Sequence, residues 1–261
     1  MSFTRINDIE CYYEIHGNGK PLVLIGGLSS DSQTWTLMLD RLKKCFTVIT
    51  FDNRAAGRTK DPGGPFDISL MAKDAVMLLE ILKIENAYIL GHSMGGYIAQ
   101  EIAITHPELV NKLILASTSA YTSEKNKTFF LDLVKIYESG VPYETFLRKF
   151  MTVMFTNDHL NDKEKMDQFV KLVTDYPYRQ DLEDFKRQVD AYIKYSSLDR
   201  LDKINAETLV ISGEKDLLIT REESDLLASK IRNAATKYLP DTAHSLPAES
   251  PQEFAEAICA F

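Results

Sequence analysis

The sequence predicts an α/β fold in which a mostly parallel β-sheet carries helices on both faces. Short, continuously apolar segments such as residues 22–25 alternate with amphipathic helical segments such as residues 69–82. Strands that are apolar throughout are typical of a parallel sheet that is buried on both faces. The alternation stops between residues 121 and 195, where apolar residues recur with helical spacing. The sequence therefore predicts an α/β core of residues 1–120 and 196–261, with an inserted helical cap (lid) at residues 121–195.

The individual elements of the core follow from local patterns. Residues 3–15 alternate in polarity around Asn7-Asp8, which predicts an antiparallel hairpin. Ser69 and Ser250 are the expected N-caps of two helices. The other predicted strands lie at residues 22–25, 47–51, 87–90, 113–116, 208–211 and 236–239, and the predicted core helices lie at residues 34–43, 69–82, 95–105, 221–231 and 251–260.

Composition and charge limit the classes of function. The 261 residues are 44% hydrophobic and 26% charged, as in ordinary soluble domains. A formal net charge of −8 disfavours nucleic-acid binding, which needs a basic face, and weakly disfavours docking on anionic membranes. The first ten residues are polar, and no apolar run approaches the roughly 20 residues that span a bilayer. We therefore expect no nucleic-acid partner, no membrane partner and a cytoplasmic location.

The three cysteines predict neither disulfides nor a metal site. Cys11, Cys45 and Cys259 are odd in number, far apart and without the spacing of metal ligands. We expect buried or half-buried thiols in a reducing cytosol, and no metal or other cofactor.

The strongest local signal is the G-x-S-x-G segment at residues 91–95. A predicted strand precedes it and a predicted helix follows it at once, so Ser93 is expected in a strained turn at the carboxyl edge of the sheet. Gly91 and Gly95 would allow the close approach of backbone that such a turn requires. The alternative is a glycine-rich turn with an incidental serine. Ser93 is the predicted nucleophile.

A serine nucleophile needs a base, and His244 is the favoured one of the five histidines. It lies in a loop after the last predicted strand, at the same edge of the sheet as Ser93. His92 adjoins Ser93, but its side chain is expected to point away. The other three histidines have no such placement: His16 ends the hairpin, His106 ends a helix and His159 lies in the cap segment.

The base needs an acid that orients it, and Asp216 is the predicted one. It follows the predicted strand at residues 208–211, again at the carboxyl edge. Glu214 and Asp241 are rivals that are expected to face solvent.

Two backbone amides are expected to stabilise an oxyanion. One is the amide of Met94, directly after the nucleophile, and the other is the amide of Leu28, in the loop at residues 26–30. The alternative for that loop is a plain glycine turn.

Four segments together resemble a known family. They are Gly91-His92-Ser93-Met94-Gly95-Gly96, residues 52–59 against D-x-R-G-x-G-x-S, residues 213–216 against G-x-x-D, and Ala243-His244 followed by Glu249-Ser250-Pro251. The chain resembles the α/β-hydrolase-fold serine hydrolases over nearly its whole length. The resemblance includes single-domain carboxylesterases, enol-lactonases of the 3-oxoadipate kind and pimeloyl carrier-protein methyl ester esterases, and the order Ser, Asp, His fits that fold.

Three positions depart from the family pattern. Gly26-Gly27 stands where a His-Gly pair is usual before the oxyanion donor, which puts the geometry of that loop in doubt. Ala55 replaces a usual glycine and Thr59 a usual serine. If position 55 requires a positive φ, Ala55 is strained.

The predicted reaction is hydrolysis of a carboxylic ester with a small or medium acyl group, through a Ser-His-Asp triad and an acyl-enzyme. A lactone, a thioester, a perhydrolase reaction or a C–C bond on the same triad stays open. Ser93 argues against dehalogenases and epoxide hydrolases of this fold, which use an aspartate nucleophile. A ligand receptor that has kept the fold is a further alternative. Oligomeric state stays open.

The cap segment, residues 121–195, is expected to cover Ser93 and to select the substrate. Phe150 and Met154 are the predicted substrate-binding residues, and the alternative is that such residues only pack the cap's own helices. The segment holds 12 Lys and Arg and 13 Asp and Glu, which suits a small-molecule ester. A substrate bound to an acidic carrier protein, for which Arg148-Lys149 would be the basic contact, stays open as the partner.

Overall fold

An eight-stranded sheet runs through the computed structural model, which describes residues 2–261. The strands are β1 (Ser2–Ile6), β2 (Ile9–His16), β3 (Lys20–Ile25), β4 (Phe46–Phe51), β5 (Ala87–His92), β6 (Val110–Ala116), β7 (Glu207–Gly213) and β8 (Ala234–Leu239). Their spatial order is β1-β2-β4-β3-β5-β6-β7-β8; the pairs β1–β2 and β2–β4 are antiparallel and the others are parallel. The predicted fold class is confirmed.

The helices lie on both faces of this sheet because the parallel strands are apolar on both sides. In β3, Val23 and Ile25 face one layer of the core, and Leu22 and Leu24 face the other. The α-helices are α1 (Thr36–Leu42), α2 (Ile68–Ile81), α3 (Met94–Thr105), α4 (Glu124–Glu138), α5 (Tyr143–Met151), α6 (Asn157–Asn161), α7 (Lys163–Asp175), α8 (Leu182–Ile193), α9 (Arg221–Lys230), α10 (Leu246–Glu249) and α11 (Pro251–Ala260). Helices α2, α3 and α9 cover the first face, and α1 and α11 cover the second.

The cap segment contains helices α4 to α8 and none of the eight strands. Its two ends meet at a β-bridge between Tyr121 and Ser196, so the chain leaves and re-enters the core at one place. The alternating pattern stops here because no strand of this segment joins the sheet. Whether the segment acts as a lid stays a prediction.

The cysteine expectation is wrong for two of the three residues. Cys45 and Cys259 form a disulfide with a Cα–Cα distance of 6.1 Å, across 214 positions of sequence. The loop after α1 and the end of α11 meet because both helices pack on the same face of the sheet. Cys11 is free and buried, and burial raises the pKa of its thiol to about 12.

Of the two expected helix caps, one is wrong and one is at the predicted residue. The N-cap of α2 is Asp67, whose carboxylate accepts from the Leu70 amide at 2.8 Å, and Ser69 lies inside the helix. Ser250 is the N-cap residue of α11, as predicted, but its hydroxyl pairs with Thr242 Oγ1 at 2.6 Å and makes no capping hydrogen bond.

The family departures at positions 55 and 59 have structural consequences. Ala55 has φ of +61°, so the glycine usual at this position is replaced by a residue in the left-handed region. The Thr59 hydroxyl donates to the Asp52 carbonyl at 2.6 Å and accepts from the Tyr12 amide at 3.0 Å. A serine hydroxyl could make the same two bonds, so this replacement conserves the polar contacts.

Candidate active site

Ser93 is the single residue between strand β5 and helix α3. Its φ of 54° and ψ of −121° lie outside the favoured regions for a residue with a side chain. A Cβ atom at Gly91 would overlap the Gly95 carbonyl, and one at Gly95 would overlap the Ile25 carbonyl. The tight turn therefore requires both glycines, and it leaves Ser93 partly exposed at the carboxyl end of the sheet.

Asp216 and His244 are brought together by the loops after β7 and β8. The Asp216 Oδ2 and His244 Nδ1 atoms are 2.9 Å apart, and both side chains are at most 1% exposed. The other carboxylate oxygen of Asp216 accepts from the amides of Leu218 and Ile219 at 2.8 and 2.9 Å, which fixes its orientation. If Nδ1–H donates to Asp216, the lone pair of His244 lies on Nε2, the nitrogen that a base requires.

The rival acids lie elsewhere. Asp241 is 83% exposed at its side chain and pairs with Lys215 at 2.7 Å. Glu214 is exposed as well. Neither of them is hydrogen-bonded to His244, which binds Asp216.

The structure does not show a hydrogen bond between Ser93 and His244. His244 Nε2 is buried and has no hydrogen-bond partner among residues 2–261. In free enzymes the contact between nucleophile and base is often long and tightens when substrate binds. The lone pair on Nε2 is therefore not used by another group of the described chain.

His92 makes a contact that the sequence did not indicate. The sequence predicts only that its side chain points away from Ser93. Its Nε2 lies 2.9 Å from the carbonyl oxygen of His244, and the two rings are 5.2 Å apart. Burial, and secondarily the neighbouring His244, lower the pKa of His92 to about 4. His92 is therefore neutral at pH 7, and its N–H can hold the backbone of residues 240–245, which we call the histidine loop.

The loop at residues 26–30 lies against the strand-to-helix turn at residues 91–95, which we call the elbow. A Cβ atom at Gly27 would be 3.1 Å from the Ser93 Cβ atom. The amide of Ser29 donates to Gln188 Oε1 at 2.9 Å, and the amide of Ser30 donates to the Gly27 carbonyl at 3.2 Å. Met94 is the first residue of α3, and the first amides of a helix have no acceptor within the helix. Leu28 lies in this loop, directly before Ser29 and Ser30, whose amides already have acceptors.

Gln188 is a second residue that sequence reasoning missed. It is fully buried on α8 of the cap segment, and its Nε2 donates to the Arg54 carbonyl at 2.9 Å. One side chain thus joins the cap segment, the loop that contains Leu28 and the segment before Ala55. A glutamine in an amphipathic helix carries no signal of such a role.

The two predicted cap residues have different surroundings. The Phe150 ring packs 5.9 to 6.3 Å from the rings of Phe130, Phe146 and Phe185, as expected for a residue inside the cap's own core. Met154 is half-buried, and its carbonyl accepts from the Ser245 amide at 2.9 Å. Of the two, Met154 lies beside the histidine loop.

Within residues 2–261, no group of three or more His, Cys, Asp or Glu side chains could hold a metal ion. No helix in the same residues is both long and apolar enough to cross a membrane.

The chain is similar to known proteins over nearly its whole length. A family model described as the alpha/beta hydrolase fold matches residues 20–251. The "Putative carbamate hydrolase RutD" of Azorhizobium caulinodans is 26% identical over 263 residues, covering 100% of this chain and 98% of that protein. The "Putative non-heme bromoperoxidase BpoC" of Mycobacterium tuberculosis is 28% identical, covering 97% of each. The crystal structure of the enol-lactonase from Burkholderia xenovorans LB400 aligns with a TM-score of 0.89 at 25% identity, covering 99% of this chain and 98% of that one.

Proposed function

Because this chain belongs to the α/β-hydrolase-fold family and is a hydrolase of that fold, we propose that it cleaves carboxylic esters with small or medium acyl groups. The proposed nucleophile is Ser93, with His244 as the base and Asp216 as the acid that orients it. The observation that carries the proposal is the buried Asp216–His244 hydrogen bond beside a strained serine elbow. Strained backbone of this kind costs about 1–3 kcal/mol and clusters at functional sites.

In the first step, His244 Nε2 takes the proton from Ser93 Oγ as that oxygen attacks the ester carbonyl carbon. Negative charge develops on the carbonyl oxygen, and the amides of Leu28 and Met94 donate to it. Asp216 stabilises the imidazolium that forms. A single donor of an oxyanion hole is worth roughly 10²–10³ in rate in another serine hydrolase.

In the second step, the tetrahedral intermediate collapses and the alcohol leaves with the proton from His244. The acyl group is now esterified to Ser93. His244 then removes a proton from a water molecule, which attacks the acyl carbonyl, and the carboxylic acid is released. Ser93 recovers its proton from His244.

We propose a small-molecule ester as substrate and place its acyl group against the cap segment. Met154 supports this placement because it lies beside the histidine loop. Phe150 would affect the acyl site indirectly, because its ring packs against other rings in the core of the cap segment. Arg148, one half of the basic pair that a carrier protein would contact, already pairs with Glu144 and Asp167. This pairing favours a free ester over a carrier-bound one.

The same triad would also act on a carbamate, a lactone or a thioester. The relatives named as a carbamate hydrolase and an enol-lactonase are similar to this chain over its whole length, which makes carbamates and enol-lactones the first alternatives. A matched panel of p-nitrophenyl esters, thioesters, carbamates and lactones tests the proposal, with Ser93→Ala as the control. We expect the highest kcat/KM on short and medium esters and none with Ser93→Ala. A preference for carbamates or lactones over every ester would replace the proposed substrate class.

A further inference from the structure

Both neighbours of His244 in the chain have their amides bound by groups outside the histidine loop. The amide of Ala243 donates to Glu249 Oε2 at 2.8 Å. The amide of Ser245 donates to the carbonyl of Met154 at 2.9 Å. The backbone on each side of the base is therefore fixed from outside.

One of these two partners is itself tied to the cap segment. Glu249 Oε1 accepts from the amide and the hydroxyl of Thr156, at 2.9 and 2.8 Å. The side chain of Glu249 is 3% exposed. Buried carboxylates that accept hydrogen bonds from N–H and O–H groups make strong, well-oriented contacts. We call residues 154–156 the cap strip, since both links to the histidine loop end there.

We propose that Glu249 is a positioning residue, which together with the cap strip holds His244 at its working distance from Ser93. This inference rests on the proposed function. His244 Nε2 has no hydrogen bond to Ser93 in the described structure, so that distance depends on Asp216 and on the backbone of the histidine loop. An error of about 1 Å in such a placement can cost on the order of 10² in rate. The cap segment then contributes to the geometry of the base as well as to the choice of acyl group.

The variant Glu249→Gln separates this role from simple packing. Glutamine has the same shape, but it has one carbonyl oxygen in place of two acceptor oxygens. Its NH2 group cannot accept from the amide of Ala243 or from Thr156, so one side of the link is lost. Glu253→Gln is the matched control, because Glu253 is exposed on the next helix.

The experiment counts active sites with a small dialkyl fluorophosphonate and gives kcat per titrated Ser93. For Glu249→Gln we expect kcat to fall by about 10- to 100-fold with KM within about threefold of wild type. The rate constant for phosphonylation should fall by a similar factor, because that reaction needs the same base. Glu253→Gln should match wild type in all three quantities.

A second pair of variants tests the link from the cap side. Thr156→Val removes the hydroxyl that donates to Glu249, and Thr156→Ser keeps it. We expect a severalfold loss of kcat for the valine variant and near wild-type values for the serine variant. The double variant Glu249→Gln with Thr156→Val should lose less than the product of the two single losses, since both changes break one link.

The outcomes separate this inference from the proposed function. If wild type is not phosphonylated at Ser93, both are wrong. If wild type is phosphonylated and Glu249→Gln keeps kcat and the phosphonylation rate within twofold, the positioning role alone is wrong. A loss confined to the number of titratable sites, with unchanged rates per site, would also overturn it, because it would show a role in folding only.

Discussion

The Nε2 atom of His92 lies 2.9 Å from the carbonyl oxygen of His244, across 152 positions of sequence. The bond joins the residue before the elbow serine to the loop that carries the proposed base. The bond requires a proton on Nε2 of His92, and because burial lowers the pKa of His92 to about 4, the ring is neutral at pH 7. The elbow and the histidine loop are thus held together by a group that remains uncharged at physiological pH.

Replacing His92 should make the free energy of unfolding depend less on pH between about pH 6.5 and pH 4. The ordinary pKa of histidine is 6.5, so between pH 6.5 and about 4 the unfolded chain binds a proton that the folded protein does not. The free energy of unfolding therefore decreases as pH falls through this window, by roughly 3 kcal/mol at most from this one group. In His92→Gln that contribution is absent. Urea unfolding at pH 7 and pH 4.5 measures the difference.

The control for this prediction is His106→Gln, which changes a partly exposed ring at the end of α3. The change in unfolding free energy between the two pH values should be smaller for His92→Gln than for wild type and for His106→Gln. Equal changes in all three proteins would show that His92 does not cause the loss of stability at low pH.

Asp216→Asn should lower kcat by about 10⁴ while the protein stays folded. Asparagine would favour the wrong tautomer of His244, as in a comparable triad. Asp241→Asn is the control, because that carboxylate is exposed and pairs only with Lys215. Steady-state kinetics on the best ester of the panel measure both variants. Wild-type rates in Asp216→Asn, together with a large loss in Asp241→Asn or Glu214→Gln, would reassign the acid.

Gln188→Met should lower kcat by about tenfold or more and change KM little. The Gln188 side chain holds the Ser29 amide, next to Leu28, so its loss would loosen a proposed oxyanion donor that is worth roughly 10²–10³ in rate. Gln180→Met is the matched control: its side chain also comes from the cap segment, and it donates to the Ala55 carbonyl at 2.6 Å and makes no hydrogen bond to residues 26–30. Equal losses of kcat in both variants would show that the effect comes from weaker packing of the cap segment on the core, and not from the bond between Gln188 and the Ser29 amide.

Met154→Ala should shift the preferred acyl length upwards, while the phosphonylation rate of Ser93 changes little. The backbone carbonyl of Met154 bonds the Ser245 amide, and alanine keeps that bond while it shortens the side chain. Leu172→Ala, at a side chain that is 69% exposed on α7, is the control. Phe150→Ala should instead lower the free energy of unfolding by about 3–5 kcal/mol, as for other buried aromatic residues. An unchanged acyl-length profile in Met154→Ala would remove that residue from the acyl site.

Most of the core could be predicted because its signals are local. The apolar runs of β3, β5, β6 and β7 and the glycines of the elbow identify a parallel sheet with a tight strand-to-helix turn. The N-cap of α2 was misplaced by two residues, since Asp67 and Ser69 are both good caps and only the observed bond to Leu70 distinguishes them.

The contacts between distant segments could not be predicted. Nothing in the spacing of Cys45 and Cys259 indicates that two helix ends meet across 214 positions. The contacts of His92, Gln188 and Glu249 arise in the same way, because each joins loops that only the tertiary fold brings together. A single sequence shows which side chains are polar, but it does not show which of them are buried against another segment.

Covalent labelling of the proposed nucleophile, Ser93, reports at once on its reactivity and on its activation by His244. Wild type, Ser93→Ala and His244→Gln are incubated with a small dialkyl fluorophosphonate, and intact mass and peptide mass are followed with time. We expect one adduct per chain in wild type, on the peptide that contains Ser93. Ser93→Ala should stay unlabelled, and His244→Gln should be labelled at least a thousandfold more slowly, since the members of a triad act as a unit. A folded wild-type protein without an adduct, or an adduct on another residue, would exclude Ser93 as a nucleophile activated by His244.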